Sequence, residues 1–248
     1  MTTPGSHELQ TQLIALAHLL EYPGGDFEAR VSAAPSSASF ACFSTAMLAL
    51  SPNEREELYT ATFDVTPACV AYVSIHLFGE ENFKRGEFMA RLHERYSQAG
   101  FTTGGELPDH LSVLLRFAAE TGEAECRELA EFCLLGPLGK MIAALTEGNP
   151  YRALLEAVRE VLHAAYPGVK PAPSPLEQMQ HHGAGCATIS AGCGCGAALD
   201  QGARALARFD VSTDESVESD PEPMAVRESK RTEVRAPAQT ARVALSTL

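Results

Sequence analysis

Apolar residues recur at helical spacing through the first two thirds of the chain. Leu9, Leu13, Leu16 and Leu20 mark one face of a first helix, which Tyr22-Pro23-Gly24-Gly25 stops. Ser51-Pro52-Asn53-Glu54 is a capping box with proline at the first helical position, so a helix starts at Pro52. Thr66-Pro67 repeats the device and predicts a helix over Ala68 to Phe78, ended by Gly79. A further helix is predicted from Asn82 to Ala99, closed by Gly100. Pro108 is expected to open the next, with Leu111, Leu114, Leu115 and Ala118 on its apolar side. Glu123 to Leu135 and Pro137 to Glu147 read as two more. Asn149-Pro150 caps a last one carrying Tyr151, Leu154, Leu155, Val158 and Leu162. The stretch Val31 to Ala46, rich in Ser and Ala, follows no such pattern. Val/Ile/Thr alternation of the kind strands require does not occur, so the expected fold is all-α, a single bundle of about eight helices.

Near Tyr166-Pro167-Gly168 the chain changes character. Pro171, Pro173 and Pro175 precede a Gly/Cys/His-rich stretch, then an acidic run and a basic, Ala-rich end. The expected organisation is a helical domain over residues 1–166 and a largely disordered, flexible tail over 167–248. Within that tail Ser174-Pro175-Leu176-Glu177 matches a second capping box, and Leu199, Ala203, Leu206 and Phe209 are at helical spacing.

Charge and composition then narrow the function. The net charge is −13. Ten of the 32 acidic and eight of the 19 basic residues lie beyond residue 166, which leaves a net −11 on residues 1–166. A phosphate backbone demands a positive surface, so nucleic acid is excluded as a partner. Met1 to Gln10 has neither the positive flank nor the apolar stretch of a secretory signal. No window approaches the roughly 20 apolar residues that span a bilayer, so no membrane insertion is expected and the cytoplasm is the expected location. Cys42, Cys69, Cys126 and Cys133 sit inside helical patterns, as free thiols acting as small apolar groups. No Gly-rich phosphate loop follows a strand, no nucleophile elbow occurs, and paired carboxylates at catalytic spacing are missing, so the chain does not read as an enzyme.

One segment resembles a known family. Leu58-Tyr59-Thr60-Ala61-Thr62-Phe63-Asp64-Val65-Thr66-Pro67-Ala68-Cys69, continued by Tyr72 and by Ile75-His76-Leu77-Phe78-Gly79, is similar to the signature of the nitrate reductase delta-subunit family. These are molybdenum cofactor assembly chaperones, related to the wider redox-enzyme maturation chaperones. Leu16, Leu20, Tyr22 and Pro23 resemble that family's first helix and its exit. Gly100-Phe101 with Glu106-Leu107-Pro108-Asp109-His110-Leu111 resembles a second hallmark, His110 standing where an aromatic is usual.

The resemblance implies a non-enzymatic chaperone of anaerobic respiration that holds no cofactor stably itself. Its expected partner is the apo catalytic (alpha) subunit of a molybdoenzyme, nitrate reductase first. It would grip that subunit's extreme N-terminus, often a remnant of a twin-arginine signal, while the molybdenum cofactor enters. An amphipathic peptide helix lying in a groove with charged rims is the physical picture. Candidate peptide-binding residues are Phe63, Asp64, Pro67, Tyr72, His76, Phe78, Leu107, Pro108 and Asp109, with the groove expected around residues 67–78 and 108–120. Asp64, Glu80, Glu81 and Asp109 are the expected carboxylate rim for the peptide's arginines. Two positions also carry a purely structural reading. Asp64 could cap the helix after it, and His76 could be a hydrogen-bonded framework histidine.

Five soft or borderline donors fall within fifteen residues of the tail: His181, His182, Cys186, Cys193 and Cys195. Thiolate and imidazole suit zinc, copper(I) or an iron–sulfur unit, although the spacing matches no structural zinc pattern. The alternative function is therefore a metal-binding or redox accessory protein acting through this cluster.

Overall fold

The computed structural model describes residues 4–177, and among them ten α-helices and one π-helical turn. The helices are α1 Pro4–Leu19, α2 Phe27–Ala33, α3 Ala38–Leu48, α4 Pro52–Phe63, α5 Val73–Phe78 and α6 Phe83–Ala99. They continue as α7 Leu111–Glu120, α8 Glu123–Leu129, the π turn Ala130–Leu134, α9 Leu135–Ala144 and α10 Pro150–Ala165. The described residues contain no strand, only a one-residue bridge between Tyr72 and His110.

The core forms where α7 lies along α1, and where α10 packs on α1, α3 and α9. α7 is nearly enveloped: only Arg116 and Glu120 of its ten residues escape burial. Tyr151, fully buried on α10, is the hub of a ring cluster, with Phe63, Phe43 and Tyr59 centred 4.9, 5.7 and 6.0 Å away. Aromatic groups at these separations add edge-to-face attraction to the burial of their area.

Several caps act as expected. Ser51 and Glu54 form the reciprocal box at α4, Asn82 caps α6, Gly100 closes it in the left-handed conformation, and Asn149 caps α10. The Ser/Ala-rich stretch without a recognised pattern holds α2 and α3. Ser37 accepts from the Phe40 N–H at the start of α3, and Phe40, Phe43 and Met47 supply its buried face. Arg55 of α4 is buried beneath these two helices. Its Nε donates to the Met47 carbonyl at 2.8 Å, its Nη1 to Glu28 at 2.9 Å, and its guanidinium lies over the Phe27 ring. The Met47 carbonyl, near the end of α3, thus accepts from Arg55 as well as from the Leu50 N–H.

The predicted elements differ at three places. The helix expected over 68–78 is only α5, because Thr66 takes a left-handed φ of 53° and turns the chain back along α4. Cys69 N–H then donates to the Thr62 carbonyl at 2.9 Å, which holds the segment extended. Pro108 does not open a helix. It lies in the Leu107–His110 turn, and α7 starts at Leu111 with His110 as its cap. The two helices expected over 123–135 and 137–147 are one run, α8 through α9, ending at Ala144. Pro137 has no N–H for the Cys133 carbonyl and its ring crowds it, and the π turn just before widens the helix to make room.

The chain past Tyr166 stays on the bundle as far as Glu177. Val169 and Ser174 are buried, and the Ser174–Glu177 capping box is formed by both of its hydrogen bonds.

Candidate functional site

After α4 the chain passes through Asp64 to Ala71 without regular structure. Val65 in this segment shares a hollow with Tyr22, and Glu106 lies close to Tyr59 and Tyr72. Between Tyr22 and α4 opens a trough of about 650 Å³, lined by Tyr22, Asn53, Glu56, Glu57, Thr60, Ala61 and Val65. Its apolar elements are unusually bare: Tyr22 is 51% and Val65 69% exposed, and Leu107 nearby is 47% exposed. Soluble surfaces carry single apolar residues, and several close together are less usual.

Tyr59 ties the mouth together. Its ring is 5.4 Å from Tyr22 and 5.3 Å from Phe63, and its hydroxyl donates to the Leu20 carbonyl at 3.3 Å. Burial raises the Tyr59 pKa to about 12, reinforced by the negative charges of Glu106, Asp64 and Glu21. Tyr72 is likewise raised, by burial first and then by Glu106. Glu56 acts on Tyr22 in the same direction, after burial. Five carboxylates, Glu21, Glu56, Glu57, Asp64 and Glu106, therefore surround one aromatic patch. Such a patch attracts cations, and paired arginines most specifically, because a guanidinium both forks onto a carboxylate and stacks on a ring.

The residues expected at the site divide between this mouth and the interior. Asp64 is exposed at the C-cap of α4, where its N–H donates to the Thr60 carbonyl. No helix starts after it, so it caps nothing, and a carboxylate there opposes the negative end of the α4 dipole. Pro67 is exposed, whereas Phe63 and Tyr72 are half-buried with their rings against Tyr151 and His110. Leu107 is at the surface, and the half-buried Pro108 offers its carbonyl to the Tyr96 hydroxyl at 2.7 Å.

Asp109, expected on the rim, is instead fully buried. It accepts from the Ser74 hydroxyl, which in turn accepts from Arg85 Nε at 2.9 Å, and its backbone carbonyl takes the Val73 N–H. Its Oδ1 has no partner. Phe78 is also interior, 5.6 Å from Phe88. His76 donates from Nε2 to the Val70 carbonyl at 2.8 Å, and burial lowers its pKa, which keeps it neutral. Glu80 and Glu81 are exposed but border a different hollow, with the bare ring of Phe83. The segments 71–73 and 109–111 are joined directly, through the Tyr72–His110 bridge, Val73 N–H to the Asp109 carbonyl and Leu111 N–H to the Ala71 carbonyl.

Tyr22, Tyr59, Val65, Glu56 and Glu106 were not among the expected site residues. The bare Val65 beside a charged residue in an otherwise helical run was the available signal. Among the described residues no group of three or more His, Cys, Asp or Glu could hold a metal ion. His181, His182, Cys186, Cys193 and Cys195 lie outside the described residues. No described helix is long and apolar enough to cross a membrane.

The described residues thus form a helical bundle with an acidic, aromatic mouth beside α4. Residues 32–165 match the nitrate reductase delta subunit family, and the chain belongs to that family. It is also similar to the probable nitrate reductase molybdenum cofactor assembly chaperone NarJ of Bacillus subtilis (strain 168). The two are 37% identical over 82 residues, which is 33% of this chain and 44% of that protein. The match thus spans less than half the length of that relative.

Proposed function

We propose that this chain is a chaperone rather than an enzyme, and that it promotes assembly of a nitrate reductase by aiding molybdenum cofactor insertion into the apo catalytic subunit. In this reading it binds that subunit's N-terminal peptide, works in the cytoplasm, and retains no cofactor of its own. Family membership and the name of the Bacillus relative support the general role. The single observation that carries the peptide-binding part is the trough beside α4, with Tyr22, Val65 and Leu107 bare among carboxylates. Apolar side chains of an amphipathic peptide would cover these groups, while its arginines meet Asp64, Glu106 and Glu56. The net −11 of residues 1–166 would steer a basic peptide toward the bundle and raise its on-rate at low salt.

The test is a titration of the catalytic subunit's N-terminal peptide into the full chain. Tyr22→Ala, or Asp64→Asn with Glu106→Gln, should each weaken binding by about tenfold, the equivalent of about 1.4 kcal/mol. The acidic pair should also flatten the dependence on salt. Unchanged affinity in both variants would overturn the trough as the binding site.

A further inference from the structure

α5 has only six residues, too few to hold itself, since a first helical turn is unfavourable without outside support. Its two ends are held by other elements. At the start, Val73 N–H donates to the Asp109 carbonyl at 2.9 Å. At the end, Lys140 of α9 donates from Nζ to the His76 carbonyl at 2.8 Å, satisfying a terminal carbonyl the helix leaves open.

The same ammonium group grips the segment after α10. Lys140 Nζ lies 3.0 Å from Ser174 Oγ and 2.9 Å from Glu177 Oε1, and this contact holds the Glu177 carboxyl below the ordinary carboxylate range. Further along, Ala172 N–H donates to the Glu131 carbonyl within the π turn at 3.0 Å. Pro171 lies over Gly136, and Leu176 over Gly79 at the end of α5, near enough that an added Cβ would touch them at 3.8 and 3.7 Å. Val169 is buried at the start of this strap. The family match ends at residue 165, so the strap lies outside it.

We infer that residues 169–177 and Lys140 form a clasp on the C-terminal end of α5, and that by holding α5 they position Tyr72 at the mouth of the trough. Lys140 is then a positioning residue, and the inference rests on the peptide-binding reading above. Tyr72 is the residue just before α5, half-buried, with its ring edge on His110 and its hydroxyl beside Glu106. Loss of the ammonium group takes from α5 its contact at the His76 carbonyl and from the strap its contacts at Ser174 and Glu177, and a helix freed at its far end in this way would let Tyr72 leave that position.

The experiment uses the full chain with Lys140→Met, Lys140→Arg and Glu177→Gln. It reads amide hydrogen exchange in residues 70–79 and 171–177. It also reads binding of a labelled synthetic amphipathic peptide with two adjacent arginines. Lys140→Met should speed exchange in both segments by about tenfold, leave α1 and α10 unchanged, and weaken the peptide several-fold. Lys140→Arg should restore both, since a guanidinium keeps the donors. Glu177→Gln, which leaves the His76 contact intact, should give the same changes at smaller size and serves if Lys140→Met does not fold. Unchanged exchange overturns the clasp. Faster exchange with unchanged peptide affinity overturns the positioning role while the trough reading stands. A wild-type chain that does not bind this peptide removes the positioning role together with the trough reading, and exchange alone then reports on the clasp.

Discussion

Two turns that share the family-like signature end in opposite surroundings. Residues 63–67 finish α4 at the surface, where Asp64 and Pro67 face solvent and Val65 is bare. Residues 106–111 begin at the surface with Glu106 and Leu107, then plunge, so that Asp109 and His110 are buried two and three residues later. Both turns carry an aspartate and a proline, Asp64 three residues before Pro67 and Asp109 directly after Pro108, and only Asp64 is exposed. The buried one organises the framework, joining Asp109, Ser74 and Arg85 and pairing residues 71–73 with 109–111. A signature residue can thus act on the framework rather than at the surface.

The sharpest way to break this contrast is to remove each aspartate in turn. Asp109→Ala strips the Ser74 hydroxyl of its acceptor and Arg85 of its nearest buried negative charge. It should cost about 2–3 kcal/mol of stability, read from urea denaturation. Asp64→Ala should change stability by no more than about 0.5 kcal/mol, because the side chain is exposed and caps nothing. Equal losses at both positions would erase the distinction.

His110 sharpens the comparison through pH. Its Nδ1 accepts from the Ser112 N–H as the cap of α7, and Tyr72, Glu106, Asp109, Glu21 and Arg116 surround it. Burial lowers its pKa below the ordinary value of 6.5, against the opposing pull of Glu106 and Asp109. The unfolded chain then binds a proton at a pH where the folded one does not. Stability is full above about pH 7, falls as pH drops through 6.5, and levels off below the folded pKa. His76, lowered by burial too, adds in the same direction. His110→Asn keeps a capping oxygen and should reduce the slope of denaturation midpoint against pH between about 5 and 7. An unaltered slope would show that the buried turn does not sense protons.

The smallest effect is expected deep in the core. The Tyr151 hydroxyl is buried and has no partner. Tyr151→Phe should therefore leave stability unchanged or raise it by up to about 1 kcal/mol, seen as a small upward shift in Tm. A clear loss would reveal a polar contact for that hydroxyl.

Much of the fold was legible beforehand because helix punctuation is local chemistry. Ser51 with Glu54, Asn82, Gly100 and Asn149 each act within a few residues of themselves, so the boundaries they set survive folding. Position-specific outcomes that depend on distant groups were not legible. Pro67 resembled a helix start, but Thr66 adopts the left-handed region and the following backbone finds its partner on Thr62. Pro137 resembled a boundary, but the helix absorbs it through a π turn. The α2–α3 stretch shows little pattern because most of its residues are small, and its helices are held by their own Phe27 and Phe43 together with Arg55 of α4.

Of the signature segments, Thr60, Ala61 and Val65 line the trough. Asp109 and Phe78 went inside, and Tyr22, Tyr59 and Glu56 came to the mouth.

By itself the sequence determined an all-helical chain with capped ends, an acidic domain and a likeness to one chaperone family. The first two follow from local periodicity, short-range hydrogen bonding and net charge, and the likeness from the particular residues of the 58–79 and 100–111 segments. Only the tertiary structure decided which carboxylates face solvent, which proline is tolerated inside a helix, and that α5 is held by a strap from beyond α10. Burial and shared hydrogen bonds between residues far apart in the chain set those outcomes, and no window of neighbouring residues contains them.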